Sequence, residues 1–185
     1  MSRRTTLASV SALAALALSA GWGGSAANAE AIVYENHNVR AVAPGEPPSS
    51  AEHASIDIPT SYAKDRRNWH RWSWVETVGF GHTIHLDLEP RNDTPRELRE
   101  QRARLAEQGP SVYREHSFRV NHDDRRVHVR WTYSHTAPGT DDTRNYVSVL
   151  LMRGGNRVKI VGDRADRSVL DQITDHTAET ISFPG

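Results

Sequence analysis

Alternation of apolar and polar residues is the strongest signal in the chain, and it places most of the expected strands. Ser55-Ile56-Asp57-Ile58 alternates until Pro59 ends it. Trp69 to Val75 predicts a second strand, with Trp72 and Trp74 on one face and Trp69, Arg71 and Ser73 on the other. His82 to Leu88 predicts a third. His82, Ile84, Leu86 and Leu88 share one side of it; Thr83, His85, Asp87 and Glu89 share the opposite side. Val112 to His122 turns through Asp123-Asp124 into Arg126 to His135, where Val127, Val129, Trp131 and Tyr133 are expected inward and His128, Arg130 and Thr132 outward. Tyr146 to Met152 is apolar almost throughout, as in a central strand covered on both faces. Gly154-Gly155-Asn156 then turns the chain into Val158 to Gly162.

Two segments carry a helical pattern instead. Thr94, Pro95 and Glu97 supply a cap, a first-turn proline and a capping-box acid, and Gly109-Pro110 stops that helix after Gln108. Its apolar stripe is thin (Leu98, Ala103, Leu105), so it should lie on a sheet with one side wet. A second helix starts near Asp166 or Ser168 and turns Leu170, Ile173 and Ile181 inward. Together these elements predict an α+β fold: an antiparallel sheet of six or seven strands with helices packed on its faces.

The first 29 residues break the pattern and read as an address. Arg3 and Arg4 precede an apolar run from Leu7 to Ala20, and Ala27-Asn28-Ala29 offers small residues at −3 and −1. Cleavage is expected between Ala29 and Glu30. The run is too short for a membrane anchor, since spanning takes about 20 apolar residues. Ser2-Arg3-Arg4-Thr5-Thr6-Leu7 resembles a twin-arginine motif with Thr6 in place of the usual Phe; an ordinary Sec signal is the favoured reading. The expected organisation is thus 1–29 leader, 30–54 a Pro- and Ser-rich extended lead, and 55–185 a single domain. Within the lead, only Ala31-Ile32-Val33-Tyr34 suggests a short peripheral strand.

Charge and cysteine content narrow the function. The 23 basic and 23 acidic residues cancel, and removing Arg3 and Arg4 leaves 21 against 23. That balance offers no footprint for nucleic acid or an anionic membrane. With no cysteine, the exported domain folds without disulfides and has neither a thiolate nucleophile nor a lipidation site. The expected protein is soluble, secreted or extracytoplasmic.

The order of parts resembles the PsbP-like superfamily, including the LpqN-type exported proteins of bacteria. The resemblance runs from about Ser55 to Phe183. It rests on Ile56-Asp57-Ile58-Pro59, a helix inserted after the third strand, Val147-Ser148-Val149-Leu150-Leu151, a Gly-Asn hairpin, Val158-Lys159-Ile160-Val161, and a helix leading to Ile181-Ser182-Phe183. It departs where a Gly-Trp usually follows the hydrophobic-Pro step, since Thr60-Ser61-Tyr62 stands here. The resemblance implies a sheet with helices on both faces, used as a binding or accessory module, and carries no catalytic motif onto this chain.

The chemistry read from the residues points the same way. There is no Gly-x-Ser-x-Gly elbow and no His-Glu-x-x-His helix. His85 and Asp87 share a face, His82 points away from them, and a metal site would need His128 or His135 from another strand, so no metal or cofactor is expected. The ten histidines are otherwise scattered, which argues against a pH sensor. Trp72 and Trp74 are expected to meet Trp131 and Tyr133 as cross-strand pairs in the core, leaving Trp69 outside. The favoured function is a non-catalytic accessory domain binding a partner protein or cell-envelope component through Trp69, Arg71, His85 and Asp87. Two alternatives stand beside it: a small metal-dependent or acid–base hydrolase using His85, Asp87 and His128, and a small-ligand carrier with a tryptophan-lined pocket.

Overall fold

Nine strands and two helices follow one another in the computed structural model, which describes residues 31–42, 44–46, 52–66, 68, 70–79, 81–88, 95–121, 127–136, 145–152 and 155–183. The strands are β1 Tyr34–Ala41, β2 Glu52–Pro59, β3 Tyr62–Arg66, β4 Arg71–Glu76, β5 Thr83–Asp87, β6 Tyr113–Val120, β7 Val127–His135, β8 Tyr146–Met152 and β9 Arg157–Gly162. Helix α1 spans Pro95–Ala106, and α2 spans Arg167–Thr180 after a 3-10 turn at Arg164–Asp166. Strands β3 to β9 form a seven-stranded antiparallel sheet in the order β3-β4-β5-β9-β8-β7-β6, while β1 and β2 pair separately.

The predicted strands and both helices are present, and the α+β expectation holds. The lead is corrected. Residues 34–41 form β1, and β2 begins at Glu52, within the stretch expected to be extended. The described residues from Ile32 onward belong to the same compact unit as the sheet. The weak alternation of β1 conceals this strand: only Val39 and Ala41 are buried, and its outer positions are polar. Strand β3 also goes beyond the expectation, because Tyr62 is buried while Ala63, Lys64 and Asp65 are exposed, as an edge strand allows.

The sheet is covered differently on its two faces. On one, α2 and the β1–β2 pair bury Trp72, Trp74, Ile84, Leu86, Val158 and Ile160 against Ile56, Ile58, Leu170 and Ile173. On the other, α1 lies at the β6 end, where Leu98 packs with Val129, Trp131, Tyr133, Val147 and Val149. The tryptophans are therefore core residues, but the expected Trp72/Trp74 to Trp131/Tyr133 pairing is corrected: these pairs lie on opposite faces of the sheet, in separate clusters. A register shift between Val127 and Val129 moves Val127 to the α2 face and leaves Val129, Trp131 and Tyr133 on the α1 face. Strand β8 lies between β7 and β9, is covered on both sides, and is buried at all of its residues.

His82, on the same side of its strand as Ile84 and Leu86, is buried. Its Nδ1 lies 3.2 Å from Glu76 Oε2 and its Nε2 3.2 Å from Asp166 Oδ2, so the ring ties β4 to the start of α2.

Candidate functional site

Helix α1 does not reach the β4–β5–β9 end of its face, and there the outward positions of three adjacent strands form a polar ladder. In the first rung Arg71, Asp87 and Arg157 stand side by side. In the second rung Ser73, His85 and Lys159 do the same. The six side chains line a basin of about 360 Å³.

Local structure aims the first rung. The Asn68 side chain accepts hydrogen bonds from the backbone N–H of Arg71 (2.9 Å) and His70 (3.3 Å), turning the chain into β4. Arg71 Nη2 donates to Asp87 Oδ2 at 2.6 Å, and Arg157 Nη2 lies 3.7 Å from the same oxygen. His70 Nε2 approaches the other carboxylate oxygen at 4.0 Å. Asp87 is 13% exposed, and it holds the two arginines on either side of itself. In the second rung Ser73 Oγ and His85 Nδ1 are hydrogen-bonded at 2.8 Å, with Ser73 fully buried.

Lys159 stands apart. Burial lowers its pKa below the usual lysine value, and the neighbouring Arg157 and Arg71 lower it further. Among the described residues no carboxylate is paired with its ammonium group. Among the described residues that line it, the basin places Lys159 beside Arg71, Arg157 and Asp87.

Of the residues expected at a site, Arg71, His85 and Asp87 come together here. Trp69, Ala29 and Glu30 lie outside the described residues. His128 does not join them. It sits on β7, three strand positions from β5, or about 14 Å at ordinary strand spacing. The hydrolase built on His85, Asp87 and His128 is therefore not assembled. Nor do Ser73, His85 and Asp87 replace it, since Ser73 is inaccessible and Asp87 is engaged by arginines. Among the described residues no group of three or more His, Cys, Asp or Glu side chains could hold a metal ion. The tryptophan-lined carrier pocket is also corrected, because Trp72, Trp74 and Trp131 are each 2% exposed or less.

The residues missed are Arg157 and Lys159, with Ser73 placed on the right face but not recognised as part of a site. A signal for the first two was present. Arg157-Val158-Lys159-Ile160 alternates charge with bulk in a strand expected beside the central one, and a cation so placed must face something polar or open.

No family model matches the chain, and no curated protein matches it in sequence. Its backbone does match a solved structure. The solution structure of cyanobacterial PsbP (CyanoP) from Synechocystis sp. PCC 6803 aligns with a TM-score of 0.50 and 12% identity, over 87% of this chain and 98% of that one. The fold is PsbP-like. This bears out the expected architecture, and at that identity the PsbP likeness speaks for the fold alone. The basin is described from this chain's own residues. Among the described residues no helix is long and apolar enough to cross a membrane.

Proposed function

We propose that the chain is an exported, non-catalytic accessory domain that binds a partner protein or cell-envelope component through the β4–β5–β9 basin. The observation that carries this reading is the two-rung ladder. Arg71, Asp87 and Arg157 are pre-positioned by ion pairing on the part of the sheet face that α1 leaves uncovered. Fixed, convergent charges favour recognition over loose surface solvation. The leader at residues 1–29 supports export, and the PsbP-like fold supports an accessory role. His85 and Asp87 serve here to orient neighbours; Trp69 precedes the basin in sequence and is proposed as an aromatic contact at its rim.

Cross-linked capture with the immobilised chain, against envelope and secreted proteins and read by mass spectrometry, tests this. One or two proteins should be retained by wild type and by Arg96→Ala on exposed α1. They should be lost on combined Arg71→Ala and Arg157→Ala. Capture that persists unchanged in the double variant would refute the assignment of this face, and an empty capture from a folded bait would refute the partner.

A further inference from the structure

We propose that the β4–β5–β9 basin binds a phosphate-monoester dianion, held by Lys159 and Arg157 with Arg71 at the rim. This rests on the basin being the recognition face and names what it recognises.

A partly buried ammonium without a carboxylate partner is unfavourable in the free protein, and two guanidinium groups beside it add repulsion. Nothing in packing requires a lysine at this position: the apolar side of β9 is already supplied by Val158 and Ile160. An anion in the basin would remove the penalty. Lys159 has no carboxylate partner among the described residues, and a phosphate monoester offers three acceptor oxygens to this lysine and the flanking Arg157 and Arg71, where a single carboxylate offers two. Arg71 engages Asp87 through Nη2, and a guanidinium has further N–H donors in a fork suited to phosphate oxygens. The lysine adds a point charge with rotatable donors. A volume of about 360 Å³ falls in the range of small-molecule sites and holds more than a bare ion, so an organic group esterified to the phosphate fits as well.

The same chemistry could come from a soluble phosphate ester or from a phosphatidic acid headgroup, and the test separates the two. The full chain is titrated calorimetrically with inorganic phosphate and with glycerol phosphate at constant chloride. It is also sedimented with phosphatidylcholine vesicles, with and without one-fifth phosphatidic acid. Wild type should bind at least one source. Heat with the free esters identifies a soluble ligand; sedimentation with phosphatidic acid alone identifies the headgroup. Lys159→Met should weaken binding by about tenfold or more, the scale of a lost charge-assisted hydrogen bond, whereas Arg96→Ala should bind as wild type does. Without phosphate, Lys159→Met should melt above wild type, which also shows that it folds. Wild type that binds neither source, a Lys159→Met that binds equally well, or one that melts lower in phosphate-free buffer would overturn the proposal. If partner capture still depended on Arg71 and Arg157 in that case, the recognition face would stand and only the ligand class would fall.

Discussion

Two ends of one sheet face obey the same alternation and come to opposite results. At the β6–β7–β8 end, every second residue of β7 and β8 turns toward α1: Val129, Trp131, Tyr133, Val147 and Val149 are buried there. Tyr113 completes that end, accepting from Trp131 Nε1 at 3.3 Å and donating to Glu115 Oε2 at 2.9 Å. At the β4–β5–β9 end, the two rungs that line the basin are polar, and among the described residues no helix lies over them. The difference teaches that strand periodicity defines a face but not its role. A covering element makes a face into core, and where the cover stops the outward row can converge on a ligand instead.

The largest expected effect tests the covered end. Trp131→Ala should cost about 3–5 kcal/mol by creating a cavity beneath α1, read by thermal or urea unfolding. If Arg71→Ala destabilised the chain as much, the contrast between a packed end and an open end would fail.

A smaller effect is expected where β9 turns its other side to α2. A Cβ on Gly162 would lie 2.5 Å from His82 Cδ2 and 2.8 Å from Leu170 Cδ1. The His82 ring is held between Glu76 and Asp166, so it has little room to yield. Gly162→Ala should destabilise by about 1–3 kcal/mol through overpacking, while Lys159→Met three residues earlier does the reverse. Equal melting of Gly162→Ala and wild type would show that this side of β9 is looser than described.

The smallest effect is in pH. Lys159 has a folded-state pKa below its unfolded value. Below that folded pKa both states are protonated and the folded state carries the whole penalty. Between it and the ordinary lysine value the unfolded chain holds the extra proton, so stability contributed by this site rises with pH. Tyr113 and Tyr133, pushed up to about 12 by burial, act oppositely once unfolded tyrosines ionise, above about pH 10. The difference between Lys159→Met and wild type isolates the lysine. The stability lead of the variant should shrink as pH rises toward the ordinary lysine pKa, and a constant lead from about pH 8 upward would contradict the placement of Lys159.

Much of this was legible in the residues. The α1 stop at Gly109, the almost wholly apolar β8 and the shared face of Trp72 and Trp74 on β4 follow from local pattern, because caps, turns and alternation act over a few residues. Strand β1 escaped because its core contribution is two small or branched side chains separated by polar ones. His128 was assigned to the wrong neighbourhood because periodicity carries no information on strand order.

By itself, the sequence determined which side chains share a strand face: Arg71 with Ser73, His85 with Asp87, and Arg157 with Lys159 all follow from a two-residue period. Only the tertiary structure decided that these three pairs lie side by side. Strand β9 inserts next to β5 from about 70 residues further along the chain, and its antiparallel register sets Arg157 opposite Asp87 and Lys159 opposite His85. That pairing is selected by burial of Val158 and Ile160 on the far side of the sheet, not by any property of the charged residues themselves.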